Sequence, residues 1–184
     1  YDSARDTVAT FLGARPTDLT LTESTTQGIN LIATSIDWNP GDVVVRTDLE
    51  HPSGRLPWAR LEDTHGIETR VVESSNGRFD LGDFETAMSG ARLVCLSAVS
   101  WNYGTRLPID EVTDIAEDTD TLVLVDAVQA PGQFPVDVPS WGADFVVGSG
   151  HKWLLGPWGT GFLWLSQSAR RHLSPTWIGP YGVE

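Results

Sequence analysis

Apolar residues along the chain follow two rhythms. VVVRT (43–47), RLVCLSAVS (92–100), TLVLVDAV (121–128), ADFVVGS (143–149) and GTGFLWLS (159–166) are nearly continuous apolar runs. Such runs mark strands buried on both faces. LTLTES (19–24) and IETRVVE (67–73) read as further strands. The segments between them carry helical spacing. Residues 3–13 place Val8, Phe11 and Leu12 on one face. TTQGINLIATSI starts a helix near Thr25 or Thr26, with Ile29, Ile32, Ala33 and Ile36 inward. Further helices are expected over 54–65, over FDLGDFETAM entered through Asp80, and over PIDEVTDIAE, with a short one ending the chain. NPGD (39–42) is a turn. Strands alternating with helices predict a three-layer α/β/α fold around a mostly parallel mixed sheet. No repeat, linker or low-complexity segment divides the chain, so one domain is expected over 1–184. In such sheets a ligand sits beyond the carboxyl ends of the strands.

Composition narrows the function classes. The formal net charge is −13, spread along the sequence, which disfavours nucleic acid and anionic membranes as partners. No apolar run approaches the roughly 20 residues of a membrane helix, and the first residues do not read as a signal peptide. Aspartate outnumbers glutamate and lysine is almost absent, a usage found in salt-adapted proteomes and also in GC-rich genomes. The single cysteine, Cys95, excludes an internal disulfide and points to a reducing compartment, the cytoplasm. Its apolar run marks it as a small core residue.

Against this background Lys152 stands out as the only lysine, beside eleven arginines. Arginine replaces lysine as a surface cation but not as a primary amine that forms a Schiff base. Lys152 follows a strand and lies among Gly148, Gly150 and Gly156, where a partly desolvated site is expected. Asp126 ends the run TLVLVD; a carboxylate there calls for a cationic partner such as a pyridinium nitrogen, or else caps a following helix. Gln129 either donates to a cofactor phenolate oxygen or faces solvent. His51 follows VVVRT and is suited to stacking on an aromatic ring and moving protons, or is an ordinary turn histidine. Thr25 and Thr26 open a helix after a strand, an arrangement that offers N–H groups and hydroxyls to a phosphate. Ser149 and His151 are further candidate phosphate donors. The histidines are scattered and the cysteine is alone, so no metal site is expected.

These stretches together resemble one family. STTQGIN is similar to the phosphate-binding helix start of the class V, fold-type I pyridoxal-phosphate enzymes. EHPSGRLPW, VDAVQAPGQFPVDV and DFVVGSGHKWLLGPWGTGFLW resemble three more of its blocks, in the same order. The family includes cysteine desulfurases, selenocysteine lyases and epimerase-like proteins. The resemblance implies pyridoxal 5'-phosphate held as a Schiff base on Lys152, which then shuttles the substrate Cα proton. It implies Asp126 on the pyridinium nitrogen, Gln129 on the phenolate oxygen and His51 against the ring. Thr26, Ser149 and His151 would bind phosphate, with Thr25 supporting. It also implies an amino-acid substrate, a homodimer, and a C-terminal small domain lying outside this chain. The sequence departs from the pattern at Trp101, where many desulfurases have asparagine, and at EHPSG, where selenocysteine lyase-like members read EHHAN. Desulfuration, transamination and epimerisation all remain open, as does a non-catalytic binding module on the same fold.

Overall fold

The computed structural model describes residues 2–176. In chain order the elements are α1 (Asp2–Phe11), β1 (Leu19–Thr22), α2 (Thr25–Ser35), β2 (Val43–Thr47), α3 (Leu56–His65), β3 (Glu68–Val72), α4 (Leu81–Met88), β4 (Leu93–Ser97), α5 (Ile109–Thr119), β5 (Leu122–Asp126), β6 (Phe145–Ser149) and β7 (Gly161–Leu165). They form a seven-stranded sheet in the order β1-β7-β6-β5-β4-β2-β3. Pairs among β2, β3, β4, β5 and β6 are parallel, and β7 runs antiparallel to both β6 and β1.

Strand alternation splits the core in two. Val43, Val45, Val94, Leu96, Val123, Val125 and Val146 face one layer, with Leu12, Phe84, Met88 and Val112 from α4, α5 and the α1 exit. Val44, Leu93, Cys95, Leu124 and Val147 face the other, with Ile29, Ile32 and Trp58 from α2 and α3. The expected three-layer α/β/α architecture with a mostly parallel mixed sheet is therefore observed.

The helix faces hold with one exception. Ile29, Ile32, Ala33 and Ile36 are buried as expected, whereas Phe11 is 53% exposed. Helix α1 stops at Phe11, two residues short of the expected end, because Ala14 N–H folds back to Ala9 O and closes the last turn. The strands are shorter than their apolar runs. Within the run at 92–100 the strand is Leu93–Ser97, and within 121–128 it is Leu122–Asp126; Ala98 and Ala127 add one further N–H each, to Asp126 O and Val147 O. Beyond those points the chain leaves the ladder and turns over the carboxyl end of the sheet. Pro52–Gly54 is a 3₁₀ turn, so the helix expected from 54 starts at Leu56. The expected terminal helix is a 3₁₀ helix at Ala169–His172. Among the described residues, no helix is long and apolar enough to cross a membrane.

Candidate functional site

Three neighbouring parallel strands end in polar residues that share one face. Ser97 ends β4, Asp126 ends β5 and Ser149 ends β6. Ser97 and Asp126 are direct register partners. All three lie in step with Cys95, Leu124 and Val147, so their side chains project on the α2 and α3 side. They line the floor of a cavity of about 260 Å³, which Thr26, His51, Lys152 and Trp101 also line. The strand-end rule thus locates the cavity.

Asp126 is 3% exposed. Its Oδ1 accepts from Val128 N–H at 2.9 Å. No helix follows it: residues 127–130 form a turn, so the helix-cap alternative is replaced by a side-chain turn. Burial pushes the carboxyl up to about 7; the Val128 N–H and Lys152 pull it down, and Glu50 adds to the rise.

Helix α2 points its N-terminus at this floor. Ser24 caps it by accepting from Gln27 N–H, and Glu23 N–H is taken by Gln27 Oε1. Thr25 is buried, and its N–H and Oγ1 both meet Ser149 Oγ, at 2.8 and 2.9 Å. The Thr25 N–H expected to be free is therefore held by Ser149. Thr26 Oγ1 meets Ser53 Oγ at 2.7 Å. Gly28 lets α2 sit close to the sheet: a Cβ there would come within 2.6 Å of Val147 Cγ1.

The loop after β2 supplies His51. Its Nδ1 accepts Ser53 N–H at 3.2 Å and contacts Ser53 Oγ at 3.0 Å. A nitrogen that accepts carries no proton, so the neutral ring bears its hydrogen on Nε2. The ring is exposed and meets Trp101 edge-on, centroids 5.4 Å apart. Burial and the Lys152 charge lower its pKa. The preceding residue, Glu50, points inward and is 2% exposed.

Lys152 lies in the turn after β6. That turn is tied by Gly150 N–H to Thr160 O, Gly156 N–H to Gly150 O and Leu155 N–H to Lys152 O. Any side chain at Gly150 would collide with Thr160. Lys152 is exposed, contrary to the desolvated amine expected, because the turn carries it past the ends of the strands. Gln129 is half-buried and accepts Trp153 Nε1–H at 2.7 Å, rather than facing open solvent. His151 stacks on the exposed Trp158 ring at 3.8 Å. The stack occupies the ring face while both histidine nitrogens stay on its edge.

All eight sequence-derived candidates thus line one cavity: Thr25, Thr26, His51, Asp126 and Gln129, with Ser149, His151 and Lys152. Ser97, Ser53 and Trp158 join them without having been singled out. For Ser97 a signal existed: like Asp126, it is a polar residue at the end of an apolar run. Cys95 is fully buried and burial holds its thiol well above the usual range, which removes it as a nucleophile. No metal-holding group of His, Cys, Asp and Glu occurs among the described residues.

Comparison with known proteins gives the family and the fold. The family described as aminotransferase class-V matches residues 1–183. A Methanothermobacter thermautotrophicus protein named "Probable cysteine desulfurase" is 40% identical over 96% of this chain and 44% of its own. The apo cysteine desulfurase of Thermococcus onnurineus NA1 superposes with a TM-score of 0.93 at 35% identity, over 98% of this chain and 46% of that one. C-DES, a cystine C–S lyase solved with glycine covalently linked to its PLP cofactor, gives a TM-score of 0.91 at 27% identity, over 97% and 48%. The chain belongs to the aminotransferase class-V family. It spans less than half the length of these relatives.

Proposed function

We propose that this chain is the cofactor-binding large domain of a pyridoxal-phosphate-dependent enzyme acting on an amino acid, and that the bond it addresses is the carbon–sulfur bond of a cysteine-type substrate. One observation carries the reading. A buried acid, the single lysine, a histidine and a helix N-terminus converge on one cavity at the carboxyl end of a parallel sheet. The donor set fits the cofactor: an acid for a ring cation, an amine for an aldehyde, and hydroxyls with a helix N-terminus for a phosphate. The names of the relatives support the sulfur substrate, and the family membership supports the cofactor.

When bound, pyridoxal phosphate supplies an electron sink for a substrate carbanion. Asp126 would hold the protonated ring nitrogen, a cation that would favour its carboxylate form. Lys152 Nζ is the primary amine that would hold the cofactor's aldehyde end and would carry the substrate Cα proton. His51, held by Ser53 with its hydrogen on Nε2, packs on the ring and excludes water from that face. Thr26, Ser149 and His151 hold the phosphate; Thr25 keeps Ser149 in place. Gln129 would donate its Nε2–H to the phenolate oxygen while its Oε1 keeps the Trp153 Nε1–H. The protein functions in the cytoplasm as a homodimer.

The test is turnover by the protein at its full natural length, loaded with pyridoxal phosphate. L-cysteine should yield alanine and enzyme-bound or reducible sulfur, and Lys152→Ala should lose this activity by at least ~10³-fold. A non-catalytic module would show no turnover of any amino acid.

A further inference from the structure

Among the described residues, Glu50 is the one fully enclosed acid near the cavity besides Asp126, and the scheme above does not use it. It is 2% exposed, yet three donors converge on it. Its Oε1 accepts from Thr47 Oγ1 at 2.7 Å and from Ser97 N–H at 3.0 Å; its Oε2 accepts from Ser97 Oγ at 2.6 Å. The two hydroxyl contacts have the short lengths of hydrogen bonds to an ionised carboxylate. Ser97 is the register partner of Asp126 and lines the cavity. Glu50 therefore sits behind the cavity floor, tied to the strand end that flanks Asp126.

We propose that Glu50 is a positioning residue: an ionised second acid that fixes the end of β4 through Ser97 and adds its negative charge behind Asp126, so that a cationic ring on Asp126 is held by two charges. The inference rests on the pyridoxal-phosphate reading for the identity of that ring. Burial raises the Glu50 pKa above its ordinary value, while the three donors and Arg46 pull it back toward the ion. The charges acting on the pair are Arg46 from β2 on Glu50 and Lys152 from the turn after β6 on Asp126; Cys95 from β4 feels both acids, and its buried thiol stays protonated.

Glu50→Gln separates charge from clamp. Its Oε1 still accepts from Thr47 and Ser97 N–H, and its Nε2–H donates to Ser97 Oγ. Two measurements apply to the protein at its full natural length. Carbon-13 NMR of the ligand-free protein should show the Asp126 titration midpoint falling in Glu50→Gln. In the loaded protein the variant should bind pyridoxal phosphate about tenfold more weakly, the equivalent of one pH unit, with the absorption–pH midpoint moved down. Ser97→Ala keeps the charge and should leave the Asp126 midpoint at or above the wild-type position. An unchanged Asp126 midpoint in Glu50→Gln, or a wild-type Glu50 that titrates as protonated at neutral pH, overturns the proposal. The NMR arm needs no cofactor. A wild-type protein that fails to bind pyridoxal phosphate would overturn the functional reading separately.

Discussion

At the end of β5 the Asp126 carboxyl is out of water with one backbone N–H to offset the loss. Its folded-state pKa of about 7 lies above the ordinary 3.8, so the folded chain holds this proton more tightly than the unfolded one. The resulting stability is fully present below pH 3.8 and is lost as pH rises through about 7. Tighter proton binding across that interval corresponds to roughly 4 kcal/mol. Asp126→Asn keeps the acceptor for Val128 and cannot ionise. It should unfold in denaturant with about 2–4 kcal/mol more stability than wild type at pH 8, and with little difference at pH 4. The same variant should bind pyridoxal phosphate roughly 10- to 100-fold more weakly. Equal stabilities at pH 8 would contradict the assignment. Such a residue is legible in sequence because a carboxylate at the end of a buried apolar run is costly without a partner. Glu50 opens the family-like stretch EHPSGRLPW, but its burial was not legible, because that depends on Ser97, 47 positions away. The Trp153 bond to Gln129 and the His151–Trp158 stack likewise depend on how the turn after β6 folds back, which local spacing does not encode.

Helix α2 shows how an element aims a site. Its capping residues and inward isoleucines were readable, since both are local features of STTQGINLIATSI. Its distance from the sheet was not, because that is set by Gly28 against Val147 on a remote strand. Gly28→Ala should push the helix from β6, lower stability by about 1–3 kcal/mol and weaken phosphate-dependent cofactor binding. Thermal unfolding together with cofactor titration checks this; an unchanged pair of values would mean the contact relaxes freely. The strand ends follow the same logic. Apolar runs mark β4 and β5, but the strands end at Ser97 and Asp126, where the chain turns to build the cavity.

The whole molecule carries a net charge of −13, and mutual repulsion among its carboxylates should fall as salt screens them. The unfolding midpoint should therefore rise between about 0.1 M and about 2 M KCl; identical midpoints would remove the salt-adapted reading of the composition. The layered fold was readable at this scale because strands alternate with helical periods from β1 to β5; β6 and β7 follow with no α-helix between them and were read from their apolar runs. The central claim is that Lys152 holds pyridoxal phosphate in the cavity above Asp126. The most direct test is the visible spectrum of the protein at its full natural length with pyridoxal phosphate, before and after borohydride, followed by peptide mapping. The account predicts a yellow band that reduction fixes covalently on Lys152, and no fixed label in Lys152→Arg. A folded wild-type protein with no band, or a label on another amine, would contradict it.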